Sequence, residues 1–219
     1  MIRHVIFDLD GTLVDSCATV VEILSGMLAE RGDHAAIDPV AARDYMSRGG
    51  LAMIRGLLGQ ACVDPDADLA DFRARYHRHR TAPETLFPGV ADALFRLRAD
   101  GLTLSICSNK PQNLCEKVLA DTGLAGHFTA VVGARAGLRP KPAPDLLDAL
   151  LARLDCDAGA CVFVGDSELD HRIAADAGIP FHFLTHGYAE PGWQPRDCMI
   201  HDAFAPLADA LLARAATHA

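Results

Sequence analysis

Short apolar runs that stop on polar residues, each followed by a helical stretch, restrict what this 219-residue chain can fold into more than any other feature. The runs cover 2–8, 102–107, 129–132, 161–164 and 181–184. Stretches with helical spacing of apolar residues cover 16–31, 89–99, 112–122, 144–154, 169–177 and 205–216, with Ser16 placed to cap the first. Strands alternating with helices build right-handed βαβ units and a mostly parallel sheet. The expected fold class is α/β, a Rossmann-like doubly wound parallel sheet. Half of the residues are hydrophobic but only 6% are aromatic, so Ala, Leu, Val and Ile must fill the core. In such sheets ligands lie outside the carboxyl ends of the strands. The residues standing at those ends are therefore the ones to read for chemistry.

One segment breaks the alternation. From about 38 to 82 no strand pattern appears. Asp38-Pro39 opens a helix that Ser47-Arg48-Gly49-Gly50 breaks; further helices cover 51–58 and 66–80. Pro83 and then Phe87-Pro88-Gly89-Val90 mark the return of the alternation. This predicts an all-helical domain over 16–85 inserted into a core domain of 1–15 and 86–219.

The net charge of -9 argues against a nucleic-acid or membrane-surface partner, which a basic face would hold. No apolar run approaches the roughly 20 residues of a membrane span. Seven cysteines, an odd number without a Cys-x-x-Cys, read as free thiols and point to the cytoplasm. A monomer and a homodimer both fit.

The first apolar run ends in Asp8-Leu9-Asp10-Gly11-Thr12. Two carboxylates this close repel unless a cation or a shared proton intervenes. A calcium loop also opens Asp-x-Asp, but its sixth and twelfth positions need Gly and Glu, and here they hold Leu13 and Thr19. We read Asp8 and Asp10 as holding a divalent metal and acting on a phosphate ester. The second strand stops at Ser108, followed by Asn109 and Lys110. A hydroxyl with adjacent N–H groups can hold a phosphoryl oxygen, although Ser is also an ordinary helix N-cap. Lys141 lies in Arg139-Pro140-Lys141-Pro142-Ala143-Pro144, where the prolines fix its direction. A fixed ammonium can neutralise a phosphoryl group and a carboxylate. The fourth strand runs into Gly165-Asp166-Ser167, and Asp170 falls one helical turn on, on the same side.

These four signals, in this order and each at a strand end, resemble the motifs of the haloacid dehalogenase superfamily. The resemblance covers nearly the whole chain, and the helical insertion is similar to the family's C1 cap. It implies that Asp8 is the nucleophile and takes the phosphoryl group as an aspartyl phosphate. Asp10 would protonate the leaving oxygen and then deprotonate water. The cofactor implied is Mg²⁺, bound by Asp8, the backbone carbonyl of Asp10 and Asp166, with Asp170 a further ligand or a support behind them. Thr12, Ser108, Asn109 and Lys141 would position and neutralise the transferring group. An aspartate at position 10 separates phosphatases and phosphomutases from the dehalogenases and phosphonatases of the superfamily.

Within the superfamily, Ser108-Asn109-Lys110-Pro111, Lys141-Pro142-Ala143-Pro144, Val164-Gly165-Asp166-Ser167 and Leu184-Thr185-His186-Gly187-Tyr188 are most similar to phosphoglycolate phosphatases. The implied partner is a small phosphorylated metabolite, 2-phosphoglycolate first. Arg48 is then the candidate to pair with its carboxylate. The alternatives are a β-phosphoglucomutase-like mutase, a broad sugar phosphatase and, more remotely, a non-enzymatic phospho-acceptor module. Other polar residues read as structural. His77 and His79 do not share a helix face, Cys107 packs in the core, and His186 and Tyr188 belong to a surface loop. Glu168 and Asp176 face solvent, and Trp193 has no assigned role.

Overall fold

The computed structural model describes residues 2–216. Among the described residues six strands form one sheet: β1 (His4–Phe7), β2 (Thr103–Pro111), β3 (Ala130–Ala134), β4 (Cys161–Gly165), β5 (Phe181–Leu184) and β6 (Met199–His201). The order is β3-β2-β1-β4-β5-β6, with every neighbouring pair parallel. The chain builds outward from β1 on one side and from β4 on the other. The β1/β4 boundary is thus the switch point at which doubly wound sheets bind ligands.

Side chains alternate across the sheet with period two. Val5, Phe7, Leu104, Ile106, Val162 and Val164 enter one apolar cluster. Ile6, Cys107, Cys161 and Phe163 enter the other. Between β1 and β2 the chain makes α1 (Cys17–Glu30), α2 (Pro39–Arg43), α3 (Gly50–Leu58), α4 (Pro65–Arg78) and α5 (Val90–Ala99). Later come α6 (Gln112–Asp121), α7 (Asp145–Leu154), α8 (Glu168–Asp176) and α9 (Phe204–Ala216). Helices α5, α6 and α9 cover the first face through Leu94, Val118 and Leu207. Helices α7 and α8 cover the second through Leu150 and Ile173. Each such side chain, fully removed from water, gains roughly 1.5–3 kcal/mol.

The helices of the insertion pack on one another and join the first cluster through Leu24, Ile54, Leu69 and Tyr76. Asp38 and Asp64 cap α2 and α4, accepting from the N–H groups of Val40 and of Asp66 and Ala67, each with proline at the start of the helix. Arg31 and Arg75 lie 2.5 Å from Asp68 and 2.7 Å from Glu30, and so tie α1 to α4.

The helices that the sequence predicts fall within one or two residues of those observed, with particular departures. Ser16 makes no capping bond to α1; its hydroxyl is buried without a hydrogen-bond partner. Helix α2 stops at Arg43, before the Ser47–Gly50 break. Strand β2 does not end at Cys107 but runs on to Pro111 through a register shift against β3. Strand β6 was not expected: it has three residues, and Met199 and Ile200 are exposed, so no apolar run marks it. All seven cysteines are free, as the sequence suggested. Among the described residues no helix is long and apolar enough to cross a membrane.

Candidate active site

Strands β1 and β4 run side by side with Phe7 opposite Val164, so the residues just beyond them emerge together. Those residues are Asp8 and Asp166. Asp170 joins them from the first turn of α8, and Lys141 from the loop before α7. One carboxylate oxygen from each of Asp8, Asp166 and Asp170 lies within 4.8 Å of the others, and all three residues are buried. The Lys141 ammonium is 2.6 Å from Asp170 Oδ1 and 3.1 Å from Asp8 Oδ1. It also donates to the Cys107 carbonyl at 3.0 Å.

Each carboxylate is held differently. Asp166 accepts from the Thr12 hydroxyl at 2.5 Å and from the Tyr188 N–H at 2.7 Å. Asp170 Oδ2 accepts from the Ser167 hydroxyl at 2.7 Å and from the Ser167 N–H at 3.2 Å; the latter, with the Asp170 N–H donating back to the Ser167 hydroxyl, closes a capping box on α8. Two glycines make room for Asp166. A Cβ at Gly11 (φ +81) or at Gly187 would stand 2.2 Å from its carboxylate.

Crowding and burial shift the titration of these groups. Burial pushes Asp8 up to about 6; Lys141 opposes that, while Asp170 and Asp10 reinforce it. Asp166 is also raised, by burial first and then by Asp170 and Asp8. For Lys141 burial works against the charge, yet Asp170 and Asp8 outweigh it and hold the pKa above the usual lysine range. Three carboxylates thus face one ammonium. The two negative charges left over are what a divalent cation neutralises, and an all-oxygen donor set suits Mg²⁺. Asp8 Oδ1 accepts no hydrogen bond, whereas both Asp170 oxygens are taken by Lys141 and Ser167. Each Asp166 oxygen accepts one hydrogen bond, from Thr12 or Tyr188, and keeps a lone pair for an ion, so Asp8 and Asp166 fit as ligands; Asp170, already bonded to the Lys141 ammonium, the Ser167 hydroxyl and two N–H groups, braces the site from behind.

Asp8 and Asp166 open into a cavity of about 140 Å³ between the sheet edge and the insertion. That is smaller than the ≈ 300 Å³ at which drug-sized pockets begin. Asp8, Asp10, Ser108, Asn109, Lys141 and Asp166 all line it, as the sequence suggested. Ser108 lies beside Asp8 on the shifted end of β2, the kind of irregularity that re-aims side chains.

Several expectations need correction. Thr12 is fully buried and spends its hydroxyl on Asp166, so it does not face a phosphoryl group. The Asn109 amide accepts from the Lys141 N–H at 2.7 Å and donates to its carbonyl at 3.1 Å, so it fixes the lysine loop. Arg48 does not line the cavity; its guanidinium stacks on Tyr45 at 5.1 Å. Tyr188 is no surface residue. It is buried, its N–H holds Asp166, and its hydroxyl donates to Asp15 at 2.6 Å. Glu168 is half-buried and accepts from the Glu190 N–H.

Two cations in the cavity wall were missed. Lys110 binds Asp10, with its Nζ 3.0 and 3.1 Å from the two carboxylate oxygens. Arg73, on α4, lines the cavity beside Gly50. Lys110 stands in the Ser108–Pro111 motif, but β2 was expected to end before it. Arg73 sits on an ordinary charged helix and gives no sequence signal.

Known proteins match this chain in sequence and in fold. The family of haloacid dehalogenase-like hydrolases matches residues 5–184. The plasmid-borne phosphoglycolate phosphatase of Cupriavidus necator is 38% identical over 86% of this chain and 83% of its own. The N-acetylmuramic acid 6-phosphate phosphatase of Pseudomonas putida is 31% identical over 90% of this chain and 88% of its own. Among solved structures, a predicted phosphoglycolate phosphatase from Haemophilus somnus superposes with a TM-score of 0.80 at 22% identity, covering 96% of this chain and 98% of that one. With a doubly wound sheet, an Asp-x-Asp at its first strand and a lysine–aspartate cluster at its switch point, the chain belongs to the haloacid dehalogenase-like hydrolases.

Proposed function

We propose that this hydrolase removes phosphate from 2-phosphoglycolate, with Mg²⁺ as cofactor and Asp8 as the phosphoryl acceptor. The observation that carries the reaction class is the buried trio of Asp8, Asp166 and Asp170 with Lys141 between them. When bound, the ion would be held by Asp8, Asp166 and the Asp10 carbonyl, and would draw charge from the phosphoryl oxygens. In the first half-reaction an Asp8 oxygen bonds to phosphorus as the ester P–O bond breaks, and Asp10 gives its proton to the leaving oxygen. In the second, Asp10 takes a proton from water, the water oxygen bonds to phosphorus, and the bond to Asp8 breaks to release phosphate. Lys141 and Ser108 stabilise charge on the transferring group throughout. The helical insertion, read as 16–85, acts as a cap that keeps bulk water out.

The substrate reading rests on the Cupriavidus relative and on a small cavity walled by Lys110 and Arg73. The Pseudomonas relative favours a sugar phosphate as the second reading. Phosphate release from a panel of esters with Mg²⁺ decides between them. The account expects 2-phosphoglycolate to lead the panel. Turnover of sugar phosphates far above it overturns the assignment, and a bisphosphorylated intermediate would point to a mutase.

A further inference from the structure

Lys110 has no task in the reaction as described. Its side chain is only 8% exposed, yet it carries its ammonium into the cavity wall. There it holds both oxygens of Asp10 and lies 4.1 Å above the ring of Tyr76, on α4. A buried cation at this point is costly unless an anion is always at hand.

The geometry says which anion. A leaving oxygen that hydrogen-bonds Asp10 stands about 3 Å from the carboxylate that Lys110 also holds. The ammonium is then no more than about 6 Å from the leaving oxygen. In a two-carbon acid phosphorylated on its hydroxyl, the carboxylate oxygens lie about 3 Å from the ester oxygen. One charge-assisted hydrogen bond of about 2.8 Å closes the remaining gap.

We propose that Lys110 is the residue that reads the substrate's carboxylate. Its ammonium is held by Asp10 while the site is empty, and it turns to a carboxylate one carbon from the ester oxygen when substrate binds. The exchange leaves the Asp10 side chain free to face the leaving oxygen. An uncharged leaving group offers Lys110 nothing better than Asp10. Against the ammonium the Tyr76 ring supplies an apolar wall, which offers a sugar hydroxyl no partner there. Arg73 is exposed, and its guanidinium stands beside Gly50 on the insertion.

This inference rests on the phosphoglycolate reading, and the test separates the two. The kcat/KM for 2-phosphoglycolate and for ethyl phosphate, which lacks only the carboxylate, is measured for wild type, Lys110→Met and Lys110→Arg. Wild type prefers the acid. Lys110→Met lowers that preference by roughly ten- to a hundredfold, the loss of one buried charge-assisted bond. Lys110→Arg retains part of it. A merely structural role would lower both substrates together and leave the ratio alone. Lys110→Gln gives the same readout should the Met variant fail to fold. A wild type without the preference overturns the phosphoglycolate reading and this inference with it. A preference kept in the neutral variants, or lost on Arg73→Ala instead, overturns the role of Lys110 alone.

Discussion

Removing the charge of the proposed nucleophile should make the metal-free protein more stable. Asp8 is buried among like charges, and its pKa stands at about 6 against an ordinary 3.8. Each pKa unit is about 1.36 kcal/mol, so the folded state bears a cost of about 3 kcal/mol once Asp8 is ionised. The sign is set by proton binding. Between the two values the folded state holds a proton that the unfolded state has lost, so stability falls as pH rises through that window. Above about 6 the whole cost is present; below about 4 it is gone. Asp8→Asn removes the charge and keeps the shape. Urea unfolding in a chelator at pH 8 should therefore place the variant about 3 kcal/mol above wild type, with the gap closing towards pH 4. For a chain of this size that is roughly 2–4 °C in Tm per kcal/mol. Saturating Mg²⁺ should narrow the gap, because the ion stabilises the ionised trio in wild type more than in the variant. An Asn variant less stable than wild type at pH 8, or a difference that ignores pH, refutes the reasoning.

Other perturbations probe the supports of the site. Gly187→Ala puts a methyl 2.2 Å from Asp166 and should weaken Mg²⁺ binding roughly ten- to a hundredfold by displacing that carboxylate, as read by metal titration. Tyr188→Phe loses the bond to Asp15 but keeps the N–H on Asp166, so stability should drop by about 1 kcal/mol in denaturant unfolding while activity largely survives. His182 on β5 is buried and bonded to His201 at 3.0 Å, and burial first, then His201, lowers its pKa to about 4. Its unfolded form takes a proton first, so wild type should lose about 3 kcal/mol as pH falls from about 6.5 to 4, a slope that His182→Phe should flatten. The slope has the opposite sign to that of Asp8, and it cancels when Asp8→Asn and wild type are compared at one pH.

Asp8, Ser108, Lys141 and Asp166 were legible because a parallel sheet carries the residues beyond its strand ends to one edge, and apolar runs ending in polar residues mark where those strands stop. Roles were harder to read than places. Thr12 and Asn109 stand in the right motifs, but their side chains bond to Asp166 and to the Lys141 backbone, partners 154 and 32 residues away. Helical periodicity says nothing of such long-range bonds. Tyr188 resembled a loop residue because nothing local requires its burial; packing against the Asp166 carboxylate and Asp15 does. Arg48 stands in a helix break and Arg73 on a charged helix, and neither setting shows as sequence which arginine a cavity will take. Only the packing of α3 on α4 decides which of them meets the cavity. Strand β6 was missed because it is short and half in water, and its pairing with β5 is supplied by the sheet rather than by its own residues.

The most direct test of the account is to find the phosphoryl group on the enzyme. Wild type mixed with 2-phosphoglycolate and Mg²⁺, quenched in acid within one turnover and mapped by peptide mass spectrometry, should carry phosphate on Asp8. Asp8→Asn should carry none and release none. Phosphate on another residue, or turnover by Asp8→Asn at the wild-type rate, would contradict the account.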